Sequence, residues 1–171
     1  MKYAIIYASK SGGTAKTAGL LKEAIEETKE NQPEKIDLYN LVKNSNVNWQ
    51  DYDYIVVGTA IYASKPHKKV LTFLKENSTQ LLKKPLSIFV CCLAPEEEAK
   101  KNGYARQLPA DIVEHADRIG YFGGRLILKK MNFFMRWLMK RITKSNEDIH
   151  KINHDNIRKF AKGLPDEKQR R

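Results

Sequence analysis

Apolar and polar positions change rhythm along the 171-residue chain. Residues 2–7 form a short apolar run suited to a buried strand, and residues 14–28 repeat at helical spacing, with Ala15, Ala18, Leu20, Leu21 and Ile25 on one face. Residues 35–41 read as a second strand near a sheet edge, and residues 54–59 as a central parallel strand, because their apolar run is unbroken. Pro66 is expected to open a helix carrying Val70, Leu71, Phe73 and Leu74 to about Leu82. A buried strand follows over residues 85–93 and a weaker helix over 109–116. Residues 120–126 read as the last central strand, and residues 153–163 as a closing helix ended by glycine and proline. Strands alternating with helices predict an α/β chain with a doubly wound, five-stranded parallel sheet, since parallel neighbours need right-handed crossovers. One domain spans residues 1–164, and residues 165–171 form a charged tail expected to be disordered.

Ligands on such sheets bind beyond the carboxyl ends of the strands. Three loops leave the strands on that side: residues 9–14, 59–67 and 91–97. The first, Ser9-Lys10-Ser11-Gly12-Gly13-Thr14, joins a strand to a helix. Its hydroxyls can donate hydrogen bonds, its glycines admit an anion close to backbone N–H groups, and Thr14 sits at the positive end of a helix dipole. A phosphate cradle follows, although a plain Ser/Gly turn has the same composition. The Lys-Ser/Thr of a nucleoside-triphosphate loop and the three-glycine spacing of a dinucleotide fingerprint are both absent, which disfavours those ligands.

The pattern Ile6-Tyr-Ala-Ser-x-x-Gly-Gly-Thr14-x-x-x-Ala-x-x-Leu21 resembles the signature of the flavodoxin family. That resemblance implies a flavodoxin-like sheet, FMN as cofactor, and a phosphate held without a counter-charged arginine. It assigns Ser9, Lys10, Ser11, Gly12, Gly13 and Thr14 to the phosphate, and Thr59, Ala60, Ile61 and Tyr62 to one edge and face of the flavin ring. It places Cys92, Leu93 and Ala94 at the other side of the ring. His67 is a weak candidate for a catalytic base and is equally readable as a helix-capping residue. His115, His150 and His154 show no metal-ligand spacing, so no metal is expected.

Cys91 and Cys92 are the only cysteines. Vicinal thiols form a strained ring, so small apolar filler is the preferred reading and a dithiol pair the alternative. The lack of a signal-like opening and of any apolar run near roughly 20 residues predicts a cytoplasmic chain.

Net charge changes the picture. Residues 121–171 hold 14 Lys/Arg against 5 Asp/Glu, whereas residues 1–120 hold 17 against 15, so the excess of +11 is concentrated at the C-terminal end. Within it, Ile127, Met131, Phe134, Leu138 and Ile142 fall on one helical stripe with Met135 and Met139 beside it. Lys129, Lys130, Arg136, Lys140, Arg141 and Lys144 fill much of the remainder. This amphipathic basic insertion, about residues 125–145, reads either as an interfacial helix on an anionic membrane, through residues 126–144, or as a core-covering helix with a solvated basic face. A nucleic-acid partner is disfavoured, because an aromatic stripe of this period packs or meets lipid.

Within the family, the insertion resembles that of the menaquinone-dependent protoporphyrinogen dehydrogenases. Val56-x-Gly-x-x-Ile61, Tyr104-Ala-Arg106, the Gly-x-Leu near Gly124 and Phe134-Met…Met139-Lys140 carry that likeness. It implies a dehydrogenase of heme biosynthesis that oxidises protoporphyrinogen, or another small redox substrate, in two-electron rounds with menaquinone as acceptor, peripheral on the inner face of the membrane. The substrate's carboxylates are expected to meet Lys65, Arg125, Lys129 or Lys130. A flavodoxin-like electron carrier or quinone reductase without a porphyrin substrate is the alternative.

Overall fold

The computed structural model describes residues 1–29, 33–44, 46–130, 133–143 and 147–166. Its centre is a sheet of five parallel strands: β1 (Lys2–Tyr7), β2 (Lys35–Asn40), β3 (Tyr54–Tyr62), β5 (Leu86–Cys91) and β6 (Ile119–Tyr121). Their spatial order is β2-β1-β3-β5-β6, and a short β4 (Lys65–Pro66) pairs antiparallel with the end of β3. Direction reverses between β1 and β3, the switch point where doubly wound sheets open a crevice for ligands.

Both sheet faces are covered, so the inner strands β1, β3 and β5 are buried along nearly their whole length, whereas the edge strand β2 carries polar residues. Ala4, Ile6, Ile55, Val57, Ile88 and Val90 point into one core, closed by Val70, Phe73 and Leu74 of α2 (Lys68–Glu76), Leu81 of α3 (Ser78–Leu81), Ala99 of α4 (Glu96–Lys101) and Ile112 of α5 (Ala110–His115). Tyr3, Ile5, Tyr54, Val56 and Phe89 point into the other, closed by α1 (Gly13–Thr28) and α7 (His154–Lys162). Each fully buried Ile or Leu contributes roughly 1.5–3 kcal/mol, and dozens of such contributions offset the entropy of ordering the chain. An aromatic column runs through the second core. Phe89 stacks on Phe122 with centroids 5.1 Å apart, and Phe122 meets Phe160 edge-on at 5.1 Å. The chain end is tied by Lys29, whose buried ammonium donates to the carbonyl of Leu164. Burial lowers its pKa, partly offset by Asp166.

Several expectations change. Residues 120–126 are two strands: β6 stays in the main sheet, whereas β7 (Gly123–Leu126) leaves it and pairs antiparallel with β8 (Ile149–Ile152). The break falls at Gly123, whose φ of +67° puts it in the left-handed region that glycine adopts without penalty. The segment expected to leave β3 at Thr59 as a loop is strand to Tyr62, then a tight turn through Ala63 and Ser64 with φ of 46° and 63°. Pro66 belongs to β4, and α2 starts at Lys68 with His67 as its N-cap. The helix expected to reach about Leu82 is divided at Asn77 into α2 and α3.

The insertion is also shorter in its helical part. Ile127 is buried just beyond β7, and α6 spans Phe133–Thr143. Phe134, on the apolar stripe, is 66% exposed, alongside Phe133 at 81% and Trp137 at 48%. Met131, Lys144 and residues 167–171 lie outside the described residues, as do the side chains of Lys130, Met135, Leu138, Met139 and Ile142.

Gly58 tests the packing most sharply, since a Cβ there would stand 2.0 Å from Cζ of Phe89. Gly58→Ala is expected to destabilise the fold by about 1–3 kcal/mol, read as a lower urea midpoint at unchanged slope. Gly19→Ala, on α1 with nothing within 4 Å of the new methyl, is expected to raise that midpoint, by about 0.5–1 kcal/mol.

Candidate functional site

The parallel register sets the ends of β1, β3 and β5 side by side, with Tyr7 opposite Gly58 and Ala60 opposite Cys91. The three expected loops therefore open on one edge. From β1 the chain turns through Ser9–Gly12 and enters α1 at Gly13. Gly12 makes the turn with φ 88° and ψ −2°, and no side chain caps the helix. Lys16 N–H donates to the Gly12 carbonyl at 3.0 Å, whereas the N–H groups of Gly13, Thr14 and Ala15 meet no acceptor among the described residues. The first turn carries no acidic residue. Orphan amide donors at the positive end of a 16-residue helix make an anion site.

The loop is braced from below. The buried Ser9 Oγ accepts from Gly12 N–H at 3.2 Å, which leaves its own hydroxyl hydrogen to donate elsewhere. Asn40, at the end of β2, accepts from Ser9 N–H and donates to the Ser9 carbonyl, both at 3.1 Å. Thr14 is buried, Ser11 and Gly12 are half-buried, and Lys10 is exposed. The brace by Asn40 was not foreseen. Its only signal in the sequence is an amide side chain where an edge strand ends, and its pairing with a loop 31 residues away is set by the β1–β2 register.

At the end of β3, Thr59 and Ala60 are buried while Ile61 and Tyr62 are half-buried. The Thr59 hydroxyl accepts from His67 N–H at 3.2 Å, tying the turn back to the strand. The His67 ring lies edge-on to Tyr62, centroids 6.2 Å apart, and its Nδ1 accepts from Lys69 N–H at 3.2 Å. Burial first, then the charges of Lys10 and Lys69, lower its pKa. The ring is therefore neutral with its proton on Nε2, a hydrogen-bond donor whose basic nitrogen is already engaged.

At the end of β5, Cys92 N–H donates to the Gly123 carbonyl at 2.9 Å, and its thiol to the Ala94 carbonyl at 3.6 Å. Leu93 and Ala94 are half-buried. Cys91 and Cys92 belong to opposite faces of the sheet. Burial pushes the Cys91 thiol up to about 12 and raises Cys92 as well, so neither is a ready thiolate. They are packing residues.

β7 is the unforeseen third wall. A Cβ on Gly124 would stand 2.9 Å from the Cys92 carbonyl oxygen, and one on Gly13 would stand 2.7 Å from that of Arg125. The strand thus passes between the first and third loops. Of the four cations expected to meet substrate, Arg125 is the one in close contact with the cradle. Its Nε is buried without a hydrogen-bond partner. Lys65 lies on the exposed turn after β3, and Lys129 is exposed in the turn Leu128–Lys130. Among the described residues no three His, Cys, Asp or Glu side chains gather to hold a metal ion.

A doubly wound sheet with an anion cradle at its first strand–helix turn, and two further strand ends beside it, defines a flavin-mononucleotide type of nucleotide-binding domain. The chain belongs to the flavodoxin domain family, whose model matches residues 4–153. It is similar to the protoporphyrinogen IX dehydrogenase (quinone) of Escherichia coli K12, 24% identical over 148 residues covering 84% of this chain and 80% of that protein. Among solved structures, the flavodoxin of Streptococcus pneumoniae TIGR4 matches with a TM-score of 0.55 at 13% identity, over 96% of this chain and 97% of that one. The apo form of an NADH:FMN oxidoreductase matches with a TM-score of 0.52 at 14% identity, over 71% and 74%.

FMN, the cofactor of this family, fits the residues present. The three orphan amides and the Ser9 hydroxyl offer donors for a phosphate, the glycines leave no side chain in its way, and the orphan Nε of Arg125 adds a further donor nearby. Thr59–Tyr62 and Cys92–Ala94 lie at the two strand ends beside the cradle. Gly12→Val forces a branched side chain to φ 88°, and Asn40→Ala removes the brace. Each is expected to weaken FMN roughly tenfold in a fluorescence-quenching titration while circular dichroism stays that of the parent. Unchanged affinity in both would remove the phosphate from this loop.

Proposed function

We propose that the chain is an FMN-dependent oxidoreductase that takes reducing equivalents from protoporphyrinogen or a similar reduced small molecule and delivers them to a menaquinone-type acceptor at an anionic membrane face. FMN, when bound, supplies the hydride and electron chemistry. The chain's own residues hold it, shield it and choose what approaches. The amides of Gly13–Ala15 and Ser9 fix the phosphate, the ends of β3 and β5 flank the ring, and His67 offers an uncharged Nε2–H donor beside Tyr62.

The observation that carries the reading beyond electron carriage is the helix α6 on the β7–β8 insertion. Phe133, Phe134 and Trp137 are exposed on it, with the Phe134 and Trp137 rings 6.3 Å apart and the Arg141 guanidinium 5.2 Å from the centre of the Trp137 ring. Exposed aromatics among Arg136, Lys140 and Arg141 suit the interface of an anionic bilayer, where each cation contributes roughly 1 kcal/mol. Among the described residues no helix is long and apolar enough to cross a membrane, so this reading is of peripheral contact. The likeness to the Escherichia coli dehydrogenase supports the porphyrinogen and quinone parts of the proposal. Lys65 and Lys129, exposed near this edge, are proposed to meet the substrate's carboxylates.

An anaerobic absorption experiment tests it. The flavin band of the FMN-loaded protein is expected to bleach with protoporphyrinogen and to return with a menaquinone analogue. A flavin that stays oxidised would instead favour an electron carrier or a quinone reductase fed by another donor. Replacing Phe133, Phe134 and Trp137 together by Ser is expected to lower co-sedimentation with anionic vesicles at least tenfold while turnover with a water-soluble quinone persists.

A further inference from the structure

Arg125 stands in an unusual position, because its buried Nε meets no hydrogen-bond acceptor among the described residues. Its carbonyl oxygen is so close to the start of α1 that a Cβ on Gly13 would meet it at 2.7 Å, and its own Cβ lies 3.9 Å from the same point. The root of the side chain is therefore beside the residue whose amide opens the cradle. Its Nε is buried, yet among the described residues no acceptor answers it. The residue opposite it across the β7–β8 pair is His150, not a carboxylate. Leaving a charged donor buried without a partner costs free energy that a bound oxyanion would recover.

Resting on the FMN reading, we propose that Arg125 binds the cofactor's phosphate, so that the phosphate is held by a guanidinium as well as by helix-terminal amides. The chemistry is recognition of an oxyanion by a planar cation, for which two sources exist at this edge: the phosphate of FMN and a carboxylate of the substrate. Position decides between them. The Arg125 backbone touches Gly13, the first residue of the helix whose amides Gly13–Ala15 are unanswered, whereas the ring-flanking residues Tyr62 and His67 belong to the turn after β3. This proposal departs from the expectation, implied by the family resemblance, that the phosphate is held without a counter-charged arginine. Departure of β7 from the main sheet at Gly123 is what carries Arg125 to the cradle; a continued parallel strand would leave it beyond β5.

Riboflavin provides the discriminating probe, because it shares the flavin ring with FMN and lacks the phosphate. Apoprotein and the variants Arg125→Ala and Arg125→Lys are titrated with each by fluorescence quenching at low and physiological salt. Arg125→Ala is expected to weaken FMN roughly 10- to 100-fold and riboflavin less than about threefold, and Arg125→Lys to recover part of the loss. The FMN affinity of the parent is expected to fall with salt more steeply than that of Arg125→Ala. If parent and Arg125→Ala bind FMN equally, the proposal fails while the FMN reading stands. An equal loss for FMN and riboflavin assigns Arg125 to the fold and also overturns it. If FMN is unaffected but affinity for a porphyrin dicarboxylate drops, the oxyanion is the substrate's and the phosphate assignment is wrong. A parent that binds neither flavin overturns the FMN reading itself.

Discussion

The structure depends on one constraint: a helix that begins without a cap must find its acceptors elsewhere. Three amides at the start of α1 are unanswered, and everything around them keeps them so. Gly12 turns the chain in the left-handed region, Ser9 occupies the one loop amide that would otherwise fold inward, and Asn40 holds Ser9 from the neighbouring strand. Had Gly12 been replaced by an Asp or Ser that capped the helix, the donors would be spent within the protein. An N-terminus left open at modest cost in stability is what an anion site requires, and the two apolar cores beneath it supply the rigidity that keeps the donors in place.

Placement of the other loops follows from the sheet. Parallel pairing puts the ends of β1, β3 and β5 on one edge in fixed register, so the first, second and third loops open toward the same crevice. The second loop is shorter than the sequence implied, because β3 continues to Tyr62, and the Thr59 hydroxyl fastens His67 to the strand. The outcome for His67 is chemical as well as structural: as the cap of α2 it uses its basic nitrogen on a backbone amide, and burial, then the charges of Lys10 and Lys69, lower its pKa.

The central strands and α1 were legible because their signals are local: unbroken apolar runs, a helical stripe and a Ser/Gly turn each lie within a few residues. What escaped was set by distant contacts. Gly123 sits in a strand-like run, and only its φ of +67° shows that the run breaks there and that β7 crosses to pair with β8. Among the described residues of 125–144, the helical period is met as α-helix over Phe133–Thr143, and Leu126, Ile127 and Leu128 are buried ahead of it. Asn40 is bonded to Ser9 and the Arg125 backbone lies against Gly13, both far apart along the chain, and neither placement is written in residue spacing. Phe134, on the stripe that reads equally as interfacial or core-covering, is 66% exposed, which favours the interfacial reading at that position.

The central claim is that the phosphate of FMN is held by the amides that open α1. Phosphorus NMR of the protein with one equivalent of FMN tests it most directly, because a free phosphate monoester loses its second proton at about pH 6. Donors fixed around the dianion favour the charged form and lower that value. The account predicts a bound phosphorus resonance displaced from that of free FMN and constant between about pH 5 and 8. A bound flavin whose phosphorus resonance still titrates near pH 6, as in free solution, would contradict it.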